Sequence, residues 1–175
     1  MTGKLLAGFI VLSAIAAGLA LYYFQIYAFY EPVSATGDDD VQMTLMASGQ
    51  PEAILYEDFE AIDASSSPIR YRACFTTEMS QPLLTETYEA YEKAEPRNGP
   101  EWFDCFNAQE IGAALESGAA LAFMGTENIQ FGIDRVIAVL ADGRGFAWHQ
   151  INTCGELVFD GEPAPDFCPP RPEGQ

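Results

Sequence analysis

Residues 131–151 read FGIDRVIAVLADGRGFAWHQI, and this stretch decides the fold. Phe131, Ile133, Arg135, Ile137 and Val139 alternate with Gly132, Asp134, Val136, Ala138 and Leu140, the period of a β-strand. Asp142-Gly143 follows, a dipeptide that closes hairpins when apolar runs flank it. Residues 146–151 then read as the returning strand. Consecutive strand side chains alternate, so Trp148 and His149 face opposite sides.

Toward the N-terminus, residues 119–125 are a continuous apolar run, expected as a central strand. Asn107 suits a helix N-cap, with Glu110 three residues on in a capping-box-like pattern. Ile111, Ala114 and Leu115 give that helix an apolar face, and Gly118 suits its end. Residues 83–94 (LLTETYEAYEKA) place Leu84, Tyr88 and Tyr91 on one helical face and predict another helix. Ile69, Tyr71, Ala73 and Phe75 alternate with Arg70, Arg72, Cys74 and Thr76, which predicts a half-buried strand after a Ser-Pro turn. Shorter strand-like stretches occupy 41–47 and 53–62. Residues 161–175 hold Pro163, Pro165, Pro169, Pro170 and Pro172 and read as an irregular tail. The expected fold class is α+β: over 41–160, a small, mostly antiparallel sheet domain with two helices and two disulfides.

Ahead of that domain lies a different kind of sequence. Residues 5–30 carry no charge and exceed the ~20 residues a helix needs to span a bilayer. Tyr22, Tyr23, Phe24, Tyr27, Phe29 and Tyr30 form an aromatic belt suited to the headgroup region. A cleaved signal peptide ending near Gly18-Leu19-Ala20 is the competing expectation; the apolar run continues well past that site. Lys4 precedes the run, and the next basic residue is Arg70. The positive-inside rule therefore expects residues 1–4 in the cytoplasm and everything after Tyr30 in the periplasm. Residues 31–40, with Asp38-Asp39-Asp40, read as an acidic stalk; a calcium loop there lacks the required ligand spacing.

The 175 residues carry 26 Asp+Glu and 8 Lys+Arg, a net charge of −18. All 26 acids and seven of the basic residues lie beyond Tyr30, so the external part carries −19. Such a balance excludes nucleic-acid binding, which needs clustered Lys and Arg. Cys74, Cys105, Cys154 and Cys168 all lie beyond the apolar run, as expected for disulfides in an oxidising compartment. Three connectivities are open. Cys74–Cys105 with Cys154–Cys168 closes the shorter loops.

Chemistry-bearing motifs are sparse. His149 is the single histidine, and it forms the metal candidate set with Met43 and Met46, thioethers suited to copper(I). No Gly-x-Ser-x-Gly elbow and no Cys-x-x-Cys pair occurs. Trp102, Phe103 and Phe106 surround Cys105, either as core against a disulfide or as a groove lining.

The segments at 67–75 (SPIRYRACF), 102–106 (WFDCF), 132–135 (GIDR) and 143–152 (GRGFAWHQIN) resemble an uncharacterised alphaproteobacterial family of short membrane-anchored periplasmic proteins. The resemblance implies an anchor and a domain of unknown function, with no known activity. Some members are labelled histidine kinase. A kinase needs a dimerisation helix bearing its phospho-accepting His and a nucleotide-binding domain, whereas His149 falls on a strand. The expectation is a non-enzymatic inner-membrane accessory protein without a cofactor, touching lipid through its anchor. Its acidic domain would meet a protein partner of an envelope or respiratory complex, such as a basic c-type cytochrome. Periplasmic copper handling is the alternative, and an envelope hydrolase has no spacing to support it.

Overall fold

The computed structural model describes residues 2–27, 29–37 and 39–171. Strand β7 (Ile133–Leu140) shows the organising feature: Ile137 and Val139 enter one core, Val136 and Ala138 the other. A strand apolar on both faces must be covered on both. It pairs with β6 (Ala120–Gln130) and β8 (Arg144–Ile151), and a three-residue connection containing Gly143 (φ +88°) closes the expected hairpin. Three more strands, β1 (Glu31–Val33), β4 (Glu57–Asp63) and β5 (Arg72–Thr76), complete a six-stranded sheet in the order β1-β4-β5-β8-β7-β6, every pair antiparallel.

The first face is covered by a small sheet of β2 (Gln42–Thr44) and β3 (Pro51–Ala53) and by helix α2 (Gln81–Thr87). Val41, Met43, Ile54, Leu84 and Phe123 fill that core. Helix α3 (Ala108–Glu116) and the chain before it cover the second face, where Phe103, Phe106 and Ile111 pack with Trp148 and Cys74. The α3 cap is the one expected. Asn107 Oδ1 accepts from the Gln109 and Glu110 amides, and its Nδ2 donates to Glu110 Oε1. Gly118, at φ +75°, follows its last turn. Both disulfides, Cys74–Cys105 and Cys154–Cys168, are formed.

Four expectations need correction. The helix expected over 83–94 ends at Thr87. Past it the chain turns extended, because Glu89 and Tyr91 amides donate to Thr44 and Ala122 carbonyls and knit the two sheets together. Strand β5 is buried on both faces rather than half-buried, since Ala73 and Phe75 enter one core and Cys74 the other. Residues 31–40 are no free stalk: β1 is an edge strand, and the buried Asp40 carboxylate accepts from the Thr36 and Gly37 amides and the Tyr56 hydroxyl. Asp38 lies outside the described residues. Finally, a further helix, α4 (Thr153–Phe159), starts where Asn152 Oδ1 accepts from the Gly155 amide. Gly155 lies so close to the β6–β7 turn that a Cβ there would stand 2.2 Å from the Gly132 carbonyl oxygen.

Helix α1 (Thr2–Ile26) precedes all this. Its segment Gly3–Ile26 is long and apolar enough to cross a membrane, about 36 Å at ~1.5 Å per residue. Residues 161–171 are irregular, and Pro172 to Gln175 lie outside the described residues.

Candidate functional site

The second face of the sheet is incompletely covered. Between β4, the β5–β8 pair and α3 lies a cleft of about 660 Å³. Its floor includes the Cys74–Cys105 disulfide, Ile111, Leu140 and Phe146. Its walls carry four carboxylates, Asp58, Glu60, Asp104 and Glu110, from three separate elements. Glu60 sits opposite Cys74 in register, and paired residues share a face. Asp58 is delivered by a β-bulge: the β4–β5 register shifts between Glu57 and Glu60, and Asp58 takes φ +51°. Bulges of this kind re-aim a side chain. Asp104 comes next to the disulfide and Glu110 from the first turn of α3.

Arg144 is the one basic residue lining the cleft, and it is spoken for. Its Nε lies 2.9 Å from Asp142 Oδ2. The cleft thus presents an apolar floor under an uncompensated acidic rim. That suits an elongated basic group whose aliphatic stem packs on the floor and whose cationic end meets carboxylate.

Residues 41–169 match the model of a family of unknown function. The chain belongs to that family, DUF6446. No curated protein and no solved structure matches the chain. The DUF6446 segment contains both disulfides and the whole cleft; α1 and β1 lie ahead of it.

The sequence-derived metal candidates occupy different surroundings. His149 is buried, with its ring stacked on Tyr71 at 4.7 Å. Arg135 Nε donates to His149 Nε2 at 3.1 Å, so the proton sits on Nδ1, which faces the Pro68 carbonyl at 2.7 Å. Burial, and then the neighbouring Arg135, pushes the imidazole pKa down to about 4. His149 is a neutral structural link with both nitrogens occupied. Met43 is enclosed in the first core, while Met46 is exposed, so an ion arriving from solvent reaches only Met46. Among the described residues, no three His, Cys, Asp or Glu side chains gather closely enough to hold a metal ion. The aromatic set resolves into two roles. Phe103 and Phe106 are core, and Trp102 turns away toward α1.

The most constrained cation, Arg72, was missed as a site residue. It is 3% exposed and, among the described residues, has no carboxylate in ion-pair contact. Its guanidinium donates to the carbonyls of Ile69, Tyr71, Arg97 and Asn98. Burial pushes its pKa down to about 10, which still leaves it charged at neutral pH. Alternation alone placed it on a polar face; no local signal announces that four carbonyls will converge on it.

Proposed function

We propose that this DUF6446 chain is a single-pass inner-membrane accessory protein of alphaproteobacterial type. Its N-terminus is cytoplasmic and its acidic domain periplasmic. The domain has no catalytic role and holds a basic segment of a protein partner in an envelope or respiratory complex, a c-type cytochrome being the simplest fit. The observation that carries this reading is the cleft: an apolar, disulfide-containing floor beneath Asp58, Glu60, Asp104 and Glu110, with its one arginine already paired. Two disulfides favour the oxidising side of the membrane, and Lys4 favours retention of the N-terminus inside.

A photo-cross-linking amino acid at Ala114, inside the cleft, tests the proposal in native membranes. The expected result is cross-linking to a basic protein that fades at high salt and is lost in the double variant Glu60→Lys/Glu110→Lys. Adducts that are indifferent to salt and to charge reversal would overturn it.

A further inference from the structure

A second surface has the opposite character, and it lies where the domain meets α1. Trp102 Nε1 donates to the Ile26 carbonyl at 3.0 Å, occupying one of the acceptors a helix C-terminus leaves open. The same indole stacks on Tyr27 (6.3 Å, 16° between planes) and meets Tyr30 edge-on at 6.1 Å. The domain is therefore seated directly on the end of the apolar helix. Arg70 joins this collar, its guanidinium carbon 5.5 Å from the Tyr30 ring centroid.

Arg70 is a cation in a chain of net charge −18, yet it forms no ion pair; among the described residues Arg144–Asp142 is the one salt bridge. Among the described residues, the Arg70 Nη1 atom also has no hydrogen-bond partner, although that atom is buried. An unsatisfied charged donor is costly, so an acceptor from outside the protein is favoured there. Arg72, two residues on, is committed to four backbone carbonyls, so Arg70 is the cation left to meet an outside acceptor. The setting restricts the acceptor. It must carry negative charge, sit level with the last turn of a membrane-spanning helix, and tolerate an indole and phenols alongside.

We propose that the Arg70–Tyr30–Trp102 collar binds the phosphate of an anionic phospholipid headgroup. Small movement of the part-exposed Arg70 side chain presents Nη1 to that phosphate, while Trp102 and Tyr27 lie at the headgroup level. The collar orients an otherwise acidic domain, which an anionic membrane surface would repel, with Arg70 toward lipid.

Native mass spectrometry of the full-length chain released from detergent micelles tests this. The probes are phosphatidylglycerol, phosphatidylcholine and inorganic phosphate, and Arg171→Gln in the C-terminal segment is the control. Wild type and control should retain phosphatidylglycerol in preference to phosphatidylcholine, and Arg70→Gln should weaken that retention about tenfold. Arg70→Lys, which keeps the charge, should retain part of it and guards against misfolding as the cause. Equal retention of both lipids, an unchanged Arg70→Gln variant, or displacement of the lipid by inorganic phosphate at equal concentration would overturn the assignment.

Discussion

Residues 88–107 and residues 161–171 are both long, both largely without regular structure, and both end near a disulfide. They are held very differently. The first is fastened along its whole length. Tyr91 OH donates to Asp134, Gln150 bonds the Lys93 carbonyl and the Glu95 amide, Arg72 gathers the Arg97 and Asn98 carbonyls, and Phe103 and Phe106 are buried. The second is mostly exposed, with Phe167 at 73%, and its ties are a few local turns and Cys168. Irregular chain becomes part of a core when side chains from regular elements satisfy its backbone. A cross-link by itself does not achieve that.

The largest effect should come from removing the two cross-links one at a time. Chain-entropy reasoning assigns about 4 kcal/mol to the Cys74–Cys105 loop and about 3 to Cys154–Cys168, with sequence separations of 31 and 14. The full benefit appears only if the loop stays ordered in the native state without its cross-link. Cys74→Ala/Cys105→Ala should therefore cost about 4 kcal/mol in denaturant unfolding. Cys154→Ala/Cys168→Ala should cost about 1 kcal/mol or less, because a freed tail recovers its entropy while still native. Equal losses would break the distinction between the segments.

Arg72 gives the next largest effect. Arg72→Met keeps an unbranched stem against Phe106 but strands the four carbonyls, and should lose about 3 kcal/mol. Arg72→Lys, a point charge without the fork, should fall between the two. Hydrogen exchange should locate the damage in residues 92–100 and leave 161–171 unchanged. If the disulfide alone held the first segment, Arg72→Met would behave as a surface substitution, within about 0.5 kcal/mol of wild type.

What could be read in advance follows the range of the forces involved. The β7–β8 hairpin and the Asn107 cap are specified by neighbours in sequence, and each was legible; the disulfide pairing was one of three open connectivities, the one that closes the shorter loops. Three of the four cleft carboxylates were invisible among 26 acids, because what joins Asp58, Glu60 and Asp104 is a bulge and a cross-link, not a spacing. Tyr88 and Tyr91 looked helical because helix and bridge both bury them; the choice was made by Thr44 and Ala122, far away in sequence. Helix α4 carries a local signal, Asn152 as its N-cap and Glu156 in its first turn, in a stretch where the sequence reading places no element.

The turn before β5 extends the comparison, since His149 does for Pro68 what Gln150 does for Lys93. The smallest effect predicted here is a pH dependence. The His149 pKa is lowered from its ordinary value of 6.5 to about 4 on folding, so between these values the unfolded chain binds more protons. Its contribution to stability is full above the unfolded value and declines as pH falls toward the folded one. Between pH ~7.5 and ~5.5 the loss should be about 1 kcal/mol. Carboxylates titrate on the same journey, so wild type must be measured against His149→Gln, which shares them. The variant should be less stable at neutral pH, and the gap should narrow as pH falls. A gap that stays constant would mean that the imidazole titrates alike in both states, and that the Arg135 and Pro68 contacts do not hold it neutral.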